Sequence, residues 1–521
     1  MNISLFMEIW TQPIDPLGYL PLSFLFSLTP IIVLIILLCI FRISGWKATL
    51  ISSISCFVIS LLLYRAPFYV ALSSYLYGVA FGLWPISWIV LNAVFLYNIA
   101  KECGCIEHLS EWVKSTLPNS RGLYALFIAF LFGGLIEGVD GYGFPIAMSA
   151  TLLISLGFNP IDAVCASLLA NTVTVPFASL GVPIETLSTS SGLDIKGICI
   201  HLSLQLALIS VVTAPLITRM LSKHEGDRKV FETSLIAGAM LGISIYIISA
   251  YMDPRLAGIL APLASMLLTI IYVKVRFKVK IKSVGLKGWV PWIIVSSLMG
   301  LSGFTGLYRM FSIKLHVPSL HESVFTPLYG TLLSATYELQ PLAHGTIALF
   351  SALLVAYIYG LKPSSIAKIY LDTWRRMKYA ILTISEILGL AFLMNYTGLS
   401  LTLGYSLSHV GPLFPILSGF IGWIGTFVSG SETGSNALFG SLQRMAAELS
   451  GFSPYMTTSL NAAGGVLGKM VSIQSITIGL SAVESKEREG EVMRRLIGYS
   501  LALTLILGLT AYFQVIFSLD M

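Results

Sequence analysis

Long apolar runs almost free of charge constrain this chain more than any other feature. They recur at 22–41, 48–64, 85–100, 122–137, 197–218, 231–252, 255–273, 289–308, 343–360, 379–397, 411–428 and 496–517. A helix crosses a bilayer core with roughly 20 apolar residues. Charged residues make up only 11% of the 521-residue sequence, against 56% hydrophobic, whereas a soluble chain carries about 25% charged residues. A water-soluble fold has no interior large enough to hide that excess, and the mean hydropathy of +0.85 says the same. The chain reads as an all-α polytopic protein of the cell membrane, with about 12–14 transmembrane helices.

Several classes fall away. The runs are continuous blocks rather than alternating ten-residue strands, which argues against a β-barrel. Lys and Arg number 31 against 25 Asp and Glu, a net +6. These basic residues sit in short loops, so nucleic acid is excluded as a partner and the lipid bilayer is expected instead. Residues 1–20 hold Glu8 and Asp15 but no Lys or Arg, so no cleavable signal peptide is expected. Three basic loops orient the middle of the chain: Arg219 to Lys229, Lys274 to Lys287, and Lys362 to Lys378. Two spans separate each from the next, which puts all three in the cytoplasm and residues 1–21 outside. Cys103, Cys105 and His108 lack a fourth ligand and the usual wider cysteine spacing, so no metal and no cofactor is expected.

Two blocks, 138–190 and 429–483, are apolar on average yet full of Gly, Ser, Thr, Asn and Pro, and 66–84 is a third ambiguous stretch. The first block reads Gly138-Val-Asp140, then Gly157-Phe-Asn-Pro160, then Ser167 leading to Asn171. The second reads Gly430-Ser-Glu432, then Gly451-Phe-Ser-Pro454, then Ser459-Leu-Asn461. The shared order predicts two inverted halves, each with a broken helix or re-entrant hairpin. Such interrupted segments in corresponding places are the best sequence pointer to a transporter binding site. The expected organisation is 1–121 as N-terminal spans, 122–218 as the first Gly-rich block with its flanking spans, 219–410 as central spans with basic loops, and 411–521 as the second block and last span.

An ionisable group at the bilayer centre costs roughly 2.5–3.5 kcal/mol on insertion scales. Glu137, Asp140, Glu386, Glu432, Arg444, Glu448 and Lys469 therefore need a polar interior. Gly430 to Asn436 is seven small or polar residues feeding a helix start. The free N–H groups there suit a carboxylate, and Ser431, Thr433, Ser435 and Asn436 add side-chain donors. Lys469 is expected as the anion's counter-charge, with Asn171 or Gln474 meeting a hydroxyl of the same ligand. Glu137 and Asp140 stand three apart and resist double ionisation, so one of Glu137, Asp140 or Glu432 is suited to hold a coupling proton. Arg444 and Glu448 are one helical turn apart and are expected to neutralise each other. Gly464 to Met470 lacks the spacing and the hydroxyl residue of a phosphate loop. A remote alternative is an intramembrane serine protease built on Ser302 and His344.

Further residues in both blocks carry a resemblance. They are Leu135-Ile-Glu137-Gly138, Gly141-Tyr-Gly143-Phe-Pro145, Leu156-Gly-Phe-Asn-Pro160, Ala170-Asn171-Thr172, Gly181-Val-Pro183-Ile184 and Gly192-Leu-Asp194. Gly422-Trp-Ile-Gly425, the run Gly430 to Gly440, and Gly468-Lys469-Met470 through Gln474 complete the set. With these the chain resembles the L-lactate permease family, which also moves glycolate and related 2-hydroxy monocarboxylates. The resemblance implies a secondary transporter coupling a small carboxylate anion to H⁺ uptake, and no enzyme. The family usually has small residues where this chain has Asp140 and Phe144, and an Asp where it has Glu432. A dicarboxylate substrate or Na⁺ coupling on a similar fold remains the alternative.

Overall fold

The computed structural model describes residues 9–41, 43–118, 120–139, 141, 143–222, 228–278, 286–307, 310–328, 330–483, 485 and 488–517. Among these, ten helices are long and apolar enough to cross a membrane, or twelve if each of two bent pairs is one span. The chain is thus a predominantly helical, multi-pass membrane protein with a broken helix in each Gly-rich block. Peripheral helices such as Leu20–Leu38 bury little of their surface, while 94% of Arg121–Val139 is enclosed. That span, which carries Glu137, is the bundle's central element.

The ambiguous stretch 66–84 is helical. Phe68–Phe81 runs through Gly82–Ser87 into Trp88–Glu102, with Trp84 in an extended conformation at the join. Two expected spans are shorter than anticipated: Val290–Thr305 has 16 residues and His344–Ile358 has 15. The chain between them forms small sheets instead. Ile313–His316 pairs antiparallel with Thr336–Leu339, and Val324–Thr326 pairs antiparallel with Thr331–Leu332 and parallel with Trp10–Thr11. The pairing of Trp10 with Val324 ties the N-terminal segment to this loop, so both lie at one end of the bundle. Both were expected on the outer side.

The two Gly-rich blocks each resolve into one continuous helix and one broken one, and neither continuous helix is both long and apolar enough to be a span by itself. The first gives Phe144–Ser155, then Pro160–Ala170 and Val175–Ser191 bent by 70°. The second gives Glu432–Ser450, then Pro454–Lys469 and Ile473–Ala482 bent by 42°. Both broken helices start at the repeated Gly-Phe-x-Pro turn, whose proline opens the helix without losing a hydrogen bond. In the first, Asn159 also caps Ile161 N–H at 3.0 Å. Helices Phe414–Ser429 and Pro454–Lys469 cross through a seam of Gly419, Gly422, Gly464 and Gly468. At each of these except Gly419, a Cβ would collide with the facing backbone. Small residues of this kind let membrane helices touch backbone to backbone.

Candidate functional site

A cavity of about 1380 Å³ lies between the two breaks. Ser179, Val182 and Pro183 line it from the first, Lys469, Gln474 and Ser475 from the second, and Gly430 to Thr433 from the helix entry between them. It extends to Gly45, Lys47, Tyr379 and Glu489. Helices Gly45–Leu62 and Pro363–Tyr396 carry their other ends to the strand cap, where Gln12 bonds the carbonyls of Asn395 and Tyr396 at 2.8 and 3.0 Å. The cavity therefore opens at the end opposite the cap, the end that carries Lys362 to Lys378.

Lys469 is the last residue of Pro454–Lys469, and its ammonium lies at the cavity wall, 5% exposed. Its Nζ donates to Glu137 Oε1 at 2.7 Å. The other oxygen of Glu137 accepts from Asn171 Nδ2, also at 2.7 Å. Asn171 stands at the first break and Lys469 at the second, so both breaks converge on one carboxylate of the central helix. Removing one partner of such a buried pair costs about 3–5 kcal/mol, because the other charge is left uncompensated.

Glu432 contrasts with Glu137. It opens helix Glu432–Ser450 behind the Ser431 cap, whose Oγ accepts from Gly434 N–H at 3.2 Å. Glu432 is 3% exposed, and neither carboxyl oxygen has a hydrogen-bond partner among the described residues. Its charged neighbours are Lys469 and Glu137. A Cβ on Gly465, one turn before Lys469, would lie 3.6 Å from Glu432 Cγ and 2.9 Å from Thr426 Oγ1, a second buried oxygen without a partner.

The expected site residues therefore divide. Ser431, Glu432, Thr433, Lys469 and Gln474 line the cavity. Glu137 and Asn171 stand behind Lys469. Ser435 Oγ donates to the Gly422 carbonyl at 3.2 Å, and Asn436 bonds the Pro183 carbonyl at 3.0 Å and Asn461 at 2.9 Å. These two residues stitch helices together and leave the cavity to their neighbours. Asn461, which the repeat aligns with Asn171, sits mid-helix in that network, because the second half-helix runs on past it to Lys469. Asp140 lies outside the described residues. Arg444 and Glu448 pair at 2.8 Å, and Glu386 accepts from Tyr75. Among the described residues the Ser302 hydroxyl has no hydrogen-bond partner, while His344 Nε2 lies 3.2 Å from Asp253, so the two are not paired with each other. Among the described residues no three His, Cys, Asp or Glu side chains gather as metal ligands do.

Sequence reasoning missed two features. Ser179, Leu180 and Gly181 take left-handed φ values of 47°, 60° and 81° in succession, which turns Ser179 into the cavity wall. Only glycine visits that region freely. Behind them, Gly181 packs on Arg255, which pairs with Glu185 at 2.5 Å and Asp253 at 3.2 Å, while His344 Nε2 lies 3.2 Å from Asp253. Burial alone would raise the Asp253 carboxyl, but the bond with His344 and the charge of Arg255 hold it well below the ordinary carboxylate range. No local signal marks this network, since its members come from separate segments.

The family profile described as L-lactate permease matches residues 23–518. The glycolate permease of Escherichia coli (strain K12) is 32% identical, over 98% of this chain and 98% of its own length. The L-lactate permease of Salmonella typhimurium is 32% identical with the same coverage, and that of Bacillus subtilis (strain 168) is 32% identical over 97% and 98%. Among solved structures, the Alcanivorax borkumensis YdaH transporter aligns with a TM-score of 0.45 and 13% identity, over 85% of this chain and 86% of its own. Neisseria gonorrhoeae MtrF, described as an antimetabolite efflux pump, aligns with a TM-score of 0.48 and 14% identity, over 90% and 94%.

Proposed function

This chain belongs to the L-lactate permease family, and on that premise we propose that it carries L-lactate, glycolate and related 2-hydroxy monocarboxylates across the cell membrane with H⁺, by alternating access. The observation that carries the reading is Lys469: a buried ammonium at a cavity wall, held by Glu137 and facing the capped helix start at Ser431. The substrate carboxylate takes Lys469 as counter-charge and the N–H groups and hydroxyls around Ser431 and Thr433. Its 2-hydroxyl meets Gln474. A proton travels on one of the carboxyls Glu137, Asp140 or Glu432. Ser435, Asn436 and Asn171 support this set from behind, fixing the helix ends that present it.

One proton moving with one monoanion leaves the loaded carrier with the charge of the empty one. The membrane potential, worth about 2.3 kcal/mol per charge per 100 mV, then drops out of the loaded step. With the basic loops in the cytoplasm, the cavity mouth at Lys47 and Glu489 makes this the inward-open state. The test is uptake of labelled L-lactate into proteoliposomes with acid outside. Concentrative uptake abolished by a protonophore, and competed by glycolate, is expected. Uptake driven by Na⁺ with no pH gradient would overturn the proton assignment, and no uptake under either would overturn the substrate.

A further inference from the structure

We propose that Glu432 is the residue that takes up the coupled proton, that Glu137 is a positioning residue that keeps its charge, and that coupling arises because the substrate carboxylate and ionised Glu432 compete for the single ammonium of Lys469. This deepens the transport reading above and rests on it. Glu137 has both oxygens engaged, by Lys469 and Asn171 at 2.7 Å each, so its charge is compensated in place. Glu432 is also buried and lines the cavity. Among the described residues neither of its oxygens meets a well-formed hydrogen bond. Asn436, one turn on, is the amide beside it, and its Nδ2 is committed to the Pro183 carbonyl. An ionised carboxylate in a dry site is costly unless paired and hydrogen-bonded. Among the described residues the cation beside Glu432 is Lys469, one turn on from Gly465, which Glu137 also holds.

Among the described residues, the other elements packed around Glu432 bring no spare charge. Glu185, on the helix after the first break, is held by Arg255, and Glu386 of Pro363–Tyr396 by Tyr75. Arg444 and Glu448 on its own helix hold each other. Lys47 and Glu489 stand at the cavity mouth. Among the described residues the local count is therefore one cation for two fixed carboxyls plus the arriving anion. With Glu432 ionised, the empty site carries one net negative charge. When the substrate carboxylate takes Lys469, Glu432 loses its compensation and binds H⁺ from the water on the acid side. The only bond made is O–H, and the loaded site again carries one net negative charge. On the opposite side Glu432 releases the proton and recaptures Lys469, expelling the anion. Anion and proton thus raise each other's affinity by the same factor, as linkage requires.

Proteoliposomes separate the roles. Glu432→Gln imitates the protonated state, so it should still exchange internal for external L-lactate, slowed a few-fold, while accumulation driven by a pH gradient falls at least tenfold. Glu432→Asp should restore accumulation. Glu137→Gln frees Lys469 from its anchor, so exchange and accumulation should fall together. As a check needing no variant, a hydrophobic carbodiimide, which attacks protonated carboxyls, should label Glu432 and spare Glu137 in the wild-type protein saturated with L-lactate at acid pH, as read by mass spectrometry of peptides. Glu432→Gln that still accumulates L-lactate, or that loses exchange along with accumulation while monodisperse, would overturn the assignment. Label on Glu137 rather than Glu432 would do the same. A wild type that neither exchanges nor accumulates L-lactate would overturn the transport reading and this assignment with it.

Discussion

The two broken helices answer to the same sequence pattern but are built differently. The first turns through 70° across residues 171–174 and kinks again further on at three successive left-handed residues, Ser179 to Gly181, braced from behind by Arg255, Glu185, Asp253 and His344. The second turns through 42° with no positive φ at all, between Lys469 and the Ser472 cap that accepts from Ser475 N–H at 3.2 Å. One break stores backbone strain and needs a scaffold. The other is an ordinary helix end that delivers a charge. A carrier that must hold an anion and also move gains from that division: the strained break shapes the wall, and the relaxed one presents the ammonium.

Substitutions can break this contrast. The largest effect is expected at Lys469. Lys469→Ala should abolish uptake and lower unfolding free energy by about 3–5 kcal/mol, because Glu137 is left buried and unpaired. Adding Glu137→Gln should recover much of that stability, read by thermal denaturation in detergent, without recovering transport. Retained uptake in Lys469→Ala would remove the charge-delivering role of the second break.

Next come two substitutions at the first break. Gly181→Ala forces a Cβ into the left-handed region and to 3.0 Å from the Arg255 backbone, for a cost of about 1–3 kcal/mol. An unchanged melting temperature would mean that the strain is not real. Asp253→Asn should cost about 1.5–3 kcal/mol by weakening charge-assisted bonds to Arg255 and His344. Its pH dependence has a definite sign. A carboxyl held below its unfolded value, about 3.9, contributes fully above that value and loses its contribution as pH falls through the lower folded one. The stability gap between wild type and Asp253→Asn should therefore stay constant from pH 8 to about 4 and close only in stronger acid. A gap that closes near neutrality would contradict the bracing network. The smallest effect belongs to the relaxed break, where Ser472→Ala removes one cap and should cost about 1 kcal/mol.

Much of this architecture is legible in the sequence because the membrane enforces it locally. Continuous apolar runs declare the spans, and the Gly-Phe-x-Pro turns declare where each broken helix begins. The capped helix start at Ser431 is equally local. What escapes is long-range pairing. Glu137 and Lys469 are recognisable as expensive residues, but their bond spans 332 positions and no periodicity links them. The same holds for Glu185 with Arg255 and for Trp10 pairing with Val324. Asn171 and Asn461 look equivalent by motif, yet the second half-helix continues for two further turns, so Lys469 rather than Asn461 reaches the break. Ser435 and Asn436 read as ligands by type, but the side on which a helix packs decides whether such residues face a cavity or a neighbour.

The most direct test of the central claim, that the two breaks enclose one anion site built on Lys469, is a cryo-electron-microscopy map of the protein in nanodiscs with saturating L-lactate. The account predicts ligand density with its carboxylate on Lys469 Nζ and the helix start at Ser431, between the two breaks. Density elsewhere in the cavity, with Lys469 still bonded only to Glu137, would contradict it.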